Sequence, residues 1–232
     1  MVSLIYNPQW FYGKDILIDA VSIIVLGLIA SFSVRYYKLE RKNKNYLYLS
    51  VSFLLIAFSF IFKIIANFTI YYHVFETKTI GLYTITYQTV TASGILFFAG
   101  YLIYRLLSVL GLYLLYSIYQ KNQPKSNIFL IVFFILISTY SSQSAYYIFH
   151  LTSFVFLSLL TIQYYSNYKK NKQLTSKLLA NSFAVIAASQ IFFMFAGFNT
   201  NLYVVAEIIQ LVGYLILLET FIKVQRNAKK KR

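Results

Sequence analysis

Seven apolar runs separated by short polar stretches occupy most of the chain. A run of about 20 apolar residues, coiled as a helix, matches the hydrocarbon thickness of a bilayer. The runs fall at 15–36, 46–73, 91–119, 126–143, 145–167, 177–197 and 202–224. The pattern predicts an all-α fold, a polytopic seven-transmembrane-helix bundle. An aromatic N-terminal segment, 1–14, precedes it and a basic tail, 225–232, follows it. The fourth run is the shortest, and Pro124, Ser126 and Asn127 before it are residues that start helices. The third has a polar-aromatic lead-in, Gly81 to Thr91. As one helix from Thr84 it would be about 50 Å long, too long to stand upright in a bilayer, so part of it is expected to protrude or lie at the interface.

The polar residues inside the runs are phased. At 3.6 residues per turn, positions three, four and seven apart share a face. Ser52, Ser59, Lys63 and Asn67 form one stripe on the second helix, and Tyr203, Glu207, Gln210 and Tyr214 form another on the seventh. Tyr146, His150, Ser153 and Thr161 line up on the fifth, and Gly94, Tyr101, Arg105, Ser108 and Tyr116 on the third. Asp15, Asp19 and Ser22 share a face of the first, and the sixth offers Gln190. The fourth has no intramembrane polar group before Ser138 and is expected at the periphery.

Four ionisable residues interrupt the runs: Asp19, Lys63, Arg105 and Glu207. A charge near the bilayer centre costs about 2.5–3.5 kcal/mol on insertion scales, so such residues are paired, hydrated or used. Two are acidic and two basic. Counted at 1.5 Å per residue from the basic ends of the helices, these four and His150 fall in one layer, with Gln190 and Gln210 beside it. The residues Asp19, Lys63, Arg105, His150, Gln190, Glu207 and Gln210 are therefore the candidate ligand-binding set. Lys63 and Arg105 would hold an anionic group; Asp19 and Glu207 would hold a cationic one or neutralise the bases.

Lys and Arg residues set the orientation. Of 21, 17 fall at one face, in loops, span ends and the tail, two (Lys14 and Lys78) at the other, and two (Lys63 and Arg105) deep inside the spans. The N-terminus is thus expected outside, the C-terminus in the cytoplasm and the protein in the cell membrane. The charge layer then lies nearer the outside. Most of the net charge of +15 is topogenic. Its functional reading is contact with anionic lipids or a cytoplasmic partner at the basic loops and tail. Nucleic acid is not an expected partner, because the short loops leave no soluble domain to shape a site. Trp10, with Tyr6, Phe11 and Tyr12, reads as an interfacial aromatic anchor, with a plug over the outer mouth as the alternative. Glu219 and Lys223, one turn apart, read as an interfacial ion pair.

Composition changes this picture little. The chain is 59% hydrophobic and 12% charged, about half the charged share of a soluble domain. The absence of cysteine excludes disulfides, thiolate nucleophiles and cysteine metal sites. Two histidines are too few for a histidine-rich metal centre. No signal peptide is evident, so the first span is expected to target the chain. No motif implies a metal or cofactor. Gly-x-Ser-Gly and Gly-x-Gly-Asp, which intramembrane proteases require, are missing, and an enzyme is not expected.

Seven spans with an external N-terminus invite comparison with rhodopsins, but no lysine lies in the middle of the seventh helix, and retinal binding is rejected. An acidic-Arg-Tyr motif at the inner end of the third helix, the mark of G-protein-coupled receptors, is absent. Seven-helix sugar transporters carry a Pro-Gln motif in a span; here Pro8-Gln9 lies in the N-terminal segment. The opening IYNPQWFYGKDILID and the closing EIIQLVGYLILL are similar to those of small, uncharacterised seven-helix membrane proteins of archaea. The last helix also resembles the end of seven-helix sensor domains of prokaryotic signalling proteins. Neither resemblance implies an activity. The expected function is a receptor or sensor-like membrane protein with an outward-facing polar pocket for a small ligand. The alternatives are a small-solute or proton-coupled transporter and a non-catalytic scaffold or assembly subunit.

Overall fold

The computed structural model describes residues 7–39, 43–71, 75–80, 83–88, 90–118, 125–142 and 144–230. Side chains are described for these except 9, 39, 70–96, 125–127, 130 and 225–230. Tyr6, Arg41, Lys42, Lys121, Pro124, Lys231 and Arg232 lie outside the described residues.

Each apolar run forms a helix: α1 (Lys14–Leu39), α2 (Asn45–Tyr71), α3 (Val90–Ser117), α4 (Lys125–Ser141), α5 (Tyr146–Asn171), α6 (Leu174–Met194) and α7 (Asn201–Lys230). Among the described residues, α1, α2, α3, α5, α6 and α7 are long and apolar enough to cross a membrane. At 17 residues, α4 reaches only about 25 Å. The last helix runs on through residues read from sequence as a separate basic tail. No proline or glycine interrupts that stretch, and nothing in its sequence ends a helix.

The lead-in to α3 departs from expectation. Instead of extending that helix, it contributes β2 (Tyr83–Gln88), which pairs antiparallel with the preceding β1 (Phe75–Ile80), from Phe75 opposite Gln88 to Ile80 opposite Tyr83. The two strands carry Thr77, Thr79, Ile80, Thr84, Ile85 and Thr86, β-branched residues that favour a pleated backbone. The long helix from Thr84 does not form, and α3 begins at Val90.

Helix packing closes a ring: α1 on α2, α2 on α3, α3 on α5, α5 on α6, α6 on α7, and α7 back on α1. The fourth helix lies outside it, against α3 and α5, as its lack of polar groups leads one to expect. Only Lys172 and Gln173 join α5 to α6. Lys172 adopts a left-handed backbone and its N–H donates to the Tyr168 carbonyl, which stops α5 and turns the chain back.

The interior is inverted relative to a water-soluble protein. Leu17, Ile24, Phe58, Phe134 and Ile162 face outward, whereas Asp15, Asp19, Lys63, Arg105 and Glu207 are buried. An apolar exterior around a charged interior suits lipid, where polar groups find partners only inside the bundle. Many span hydroxyls, including Ser22, Ser33, Thr161 and Thr220, donate to the carbonyl four residues back and need no other helix. Along its axis the ring divides. One half is an apolar core built on Leu26, Ile29, Phe53, Leu115, Leu160 and Leu217. The other half holds the charges.

Candidate functional site

Three groups of side chains make up the charged half. The first centres on Lys63 of α2. Its Nζ donates to Asp19 Oδ1 of α1 at 2.8 Å and to Glu207 Oε1 of α7 at 2.6 Å. Lys63 reaches them because its stripe on α2 faces the interior. The rings of Phe60, Tyr104 and Tyr203 lie 5.5, 6.0 and 6.0 Å from Nζ and surround it. Among the described residues, Asp19 Oδ2 and Glu207 Oε2 have no hydrogen-bond partner. With both carboxylates ionised, one cation shared by two anions leaves an excess of negative charge. The side chains of Asp19, Lys63 and Glu207 are 0%, 5% and 1% exposed. They form closed ion pairs rather than an open pocket, because oppositely charged groups facing one another in a low-dielectric interior close the space between them.

One turn before Asp19, Asp15 Oδ2 accepts from Asn7 Nδ2 at 3.0 Å and Asn67 Nδ2 at 2.8 Å. The Tyr101 hydroxyl donates to Asn67 Oδ1 at 2.7 Å. This chain of bonds ties the N-terminal segment to α1, α2 and α3. Phe11, in the 3-10 turn Gln9–Phe11, is buried in a cluster with Phe193, Tyr203, Val204 and Ala206. Trp10 stays 58% exposed beside Lys14, which suits an interfacial anchor. Among the described residues of this segment, Asn7 and Phe11 are buried against the bundle.

The second group is Arg105. Its Nη1 donates to the Ser142 carbonyl at 2.7 Å and to Ser142 Oγ at 3.1 Å, at the end of α4. The third is His150, whose Nδ1 lies 2.8 Å from Gln190 Oε1, with the ring stacked 4.7 Å from Phe193. Gln210 donates to the Tyr214 hydroxyl at 3.2 Å. Gln190 and Gln210, with Tyr104, Ser108, Ser153 and Tyr214, line a cavity of about 30 Å³ beneath the ion pairs. That volume admits a water molecule or two. Ser153 Oγ has no hydrogen-bond partner among the described residues.

The seven residues singled out from sequence are all buried in this half, yet they are partitioned rather than merged. Lys63 is engaged by both carboxylates and is not joined to Arg105 in a common anion site. Sequence reasoning missed Asn7, Tyr104 and Ser142. Tyr104, three residues after Tyr101 and four before Ser108, shares their face and was legible in the periodicity, whereas Ser142 follows α4 and Asn7 precedes the first helix. Asp15 and Asn67 were visible on the stripes but were not assigned to the site. Among the described residues, no group of three or more His, Cys, Asp or Glu side chains could hold a metal ion.

Fold and site together define a helical bundle of the integral membrane type, with a buried charged half. The chain matches no protein-family model, no curated protein and no solved structure.

Proposed function

We propose that the chain is a seven-helix membrane receptor or sensor, with its N-terminus outside and its C-terminus in the cytoplasm. A small polar ligand would act on it at the charged half. The observation that carries this reading is Lys63 shared between Asp19 and Glu207. That single ammonium links α1, α2 and α7, and its two partners each keep an unpartnered oxygen. A ligand that exchanges for one ion-pair partner shifts the helix arrangement by its differential affinity for the paired and unpaired states. The opposite half is a packed apolar core, which favours access from one side only. The basic loops would contact anionic lipid or a cytoplasmic partner.

Thermal unfolding of the purified full chain against a panel of small polar compounds tests the reading. Stabilisation by a panel member that weakens in Glu207→Gln is expected. Stabilisation that persists unchanged in both Glu207→Gln and Arg105→Gln would sink it.

A second reading, a small-solute or proton-coupled carrier, draws on the polar cavity below the ion pairs. Ser108, Ser153, Gln190 and Gln210 extend the polar path toward the apolar half. Solute-dependent proton flux in proteoliposomes would favour the carrier over the receptor.

A further inference from the structure

Arg105 carries a permanent charge and is 2% exposed. The four intramembrane charges sum to zero, but the structure allocates them unevenly. Lys63 takes both carboxylates, and among the described residues no carboxylate forms an ion pair with Arg105. Both hydrogen bonds of Arg105 leave from Nη1 and end on Ser142. The other edge of the guanidinium, Nε and Nη2, has no acceptor among the described residues. That edge presents two parallel N–H groups, the fork that pairs bidentately with a carboxylate. Rings of Tyr101, Tyr146 and Phe149, 5.5, 5.9 and 6.0 Å from Cζ, wall the group. They suit an organic body attached to the anion. Ser142 follows α4 and Tyr146 opens α5. The group therefore sits by the α4–α5 connection, at the charged end of the ring and away from the apolar core.

We infer that the Nε/Nη2 edge of Arg105 is a docking point for a small organic carboxylate. Such a ligand supplies the counter-charge that the protein withholds. The inference rests on the sensor reading for what binding does, not for where binding occurs. It also narrows the ligand class: with Lys63 already paired, anion recognition falls to Arg105.

The test uses the full chain in detergent, with benzoate as probe and neutral benzamide as its isostere, read by calorimetry and thermal unfolding. Saturable benzoate binding with a raised Tm is expected, without a matching effect of benzamide. Arg105→Gln should abolish it. Arg105→Lys keeps the charge but lacks the fork, and should weaken it about tenfold; it carries the test if Arg105→Gln does not fold. Lys223→Gln, in the exposed pair at the far end of α7, should leave binding unchanged. No saturable benzoate binding, equal binding of benzamide, or undiminished binding in the Arg105 variants would each overturn the inference. If an uncharged or cationic compound stabilises the protein while benzoate does not, the sensor reading stands and this one falls.

Discussion

Glu207 on α7 and Lys63 on α2 are 144 residues apart in the chain and 2.6 Å apart in space. With Asp19 at 2.8 Å on the same ammonium, this pair joins the last helix of the ring to the first two. A buried ion pair contributes little net stability compared with an apolar isostere, but breaking one side of it leaves an uncompensated charge.

Lys63→Met should therefore destabilise the protein by about 3–5 kcal/mol, measured as loss of folded chain in denaturant or heat. The triple variant Lys63→Met, Asp19→Asn, Glu207→Gln should recover most of that loss, because no charge is then left alone. If the ion pairs serve only as structural glue, the triple variant should also retain partner and ligand binding. If they form the switch, it should fold and fail to respond.

Close helix approach gives a sharper packing test. A Cβ on Gly213 would lie 2.5 Å from Ile186 Cγ1 and 3.2 Å from the Ile186 backbone nitrogen, so α6 and α7 approach closely there and the Ile186 side chain packs directly on the glycine. Gly213→Ala should cost about 1–3 kcal/mol through overpacking. Gly27 meets nothing within 4 Å, and Gly27→Ala should gain about 0.5–1 kcal/mol from helix propensity. Thermal unfolding of the two variants should shift in opposite directions.

Tyr101→Phe removes the hydroxyl that donates to Asn67 and leaves the ring in place. The expected loss is about 0.6 kcal/mol, the average for an interhelical hydrogen bond in a membrane protein. A loss several times larger would mean that the Asn67–Asp15–Asn7 chain of bonds collapses as a unit.

Glu219 and Lys223 pair at 2.7 Å but remain 61% and 54% exposed. Glu219→Gln should change stability by no more than about 0.5 kcal/mol, screened further by salt.

Orientation is open to direct labelling because the chain has no native cysteine. Lys78→Cys in intact cells should react with a membrane-impermeant maleimide. Lys170→Cys should react only after the membrane is opened. The reverse labelling would invert the proposed topology.

Much of the architecture was legible along the chain. Helix phase put Ser52, Ser59, Lys63 and Asn67 on one side of α2, and all four are buried. The peripheral place of α4 followed from its lack of intramembrane polar groups. The hairpin was not legible in a search for runs of about 20 apolar residues, since its strands are 6 residues each and lie between two spans. The closed state of the ion pairs was also out of reach. Stripe and depth place charges at one level but say nothing of the gap between them.

The sequence by itself determined the spans, the inward stripes and a zero sum over the four mid-span charges Asp19, Lys63, Arg105 and Glu207, because apolar length and 3.6-residue periodicity are local properties. Tertiary structure alone decided who pairs with whom. Lys63 could have met either acid or neither; the closure of α7 on α1 delivers both to it. The same closure leaves Arg105 to Ser142, with no acceptor for the other edge of its guanidinium among the described residues, because pairing within the bundle depends on which helices become neighbours.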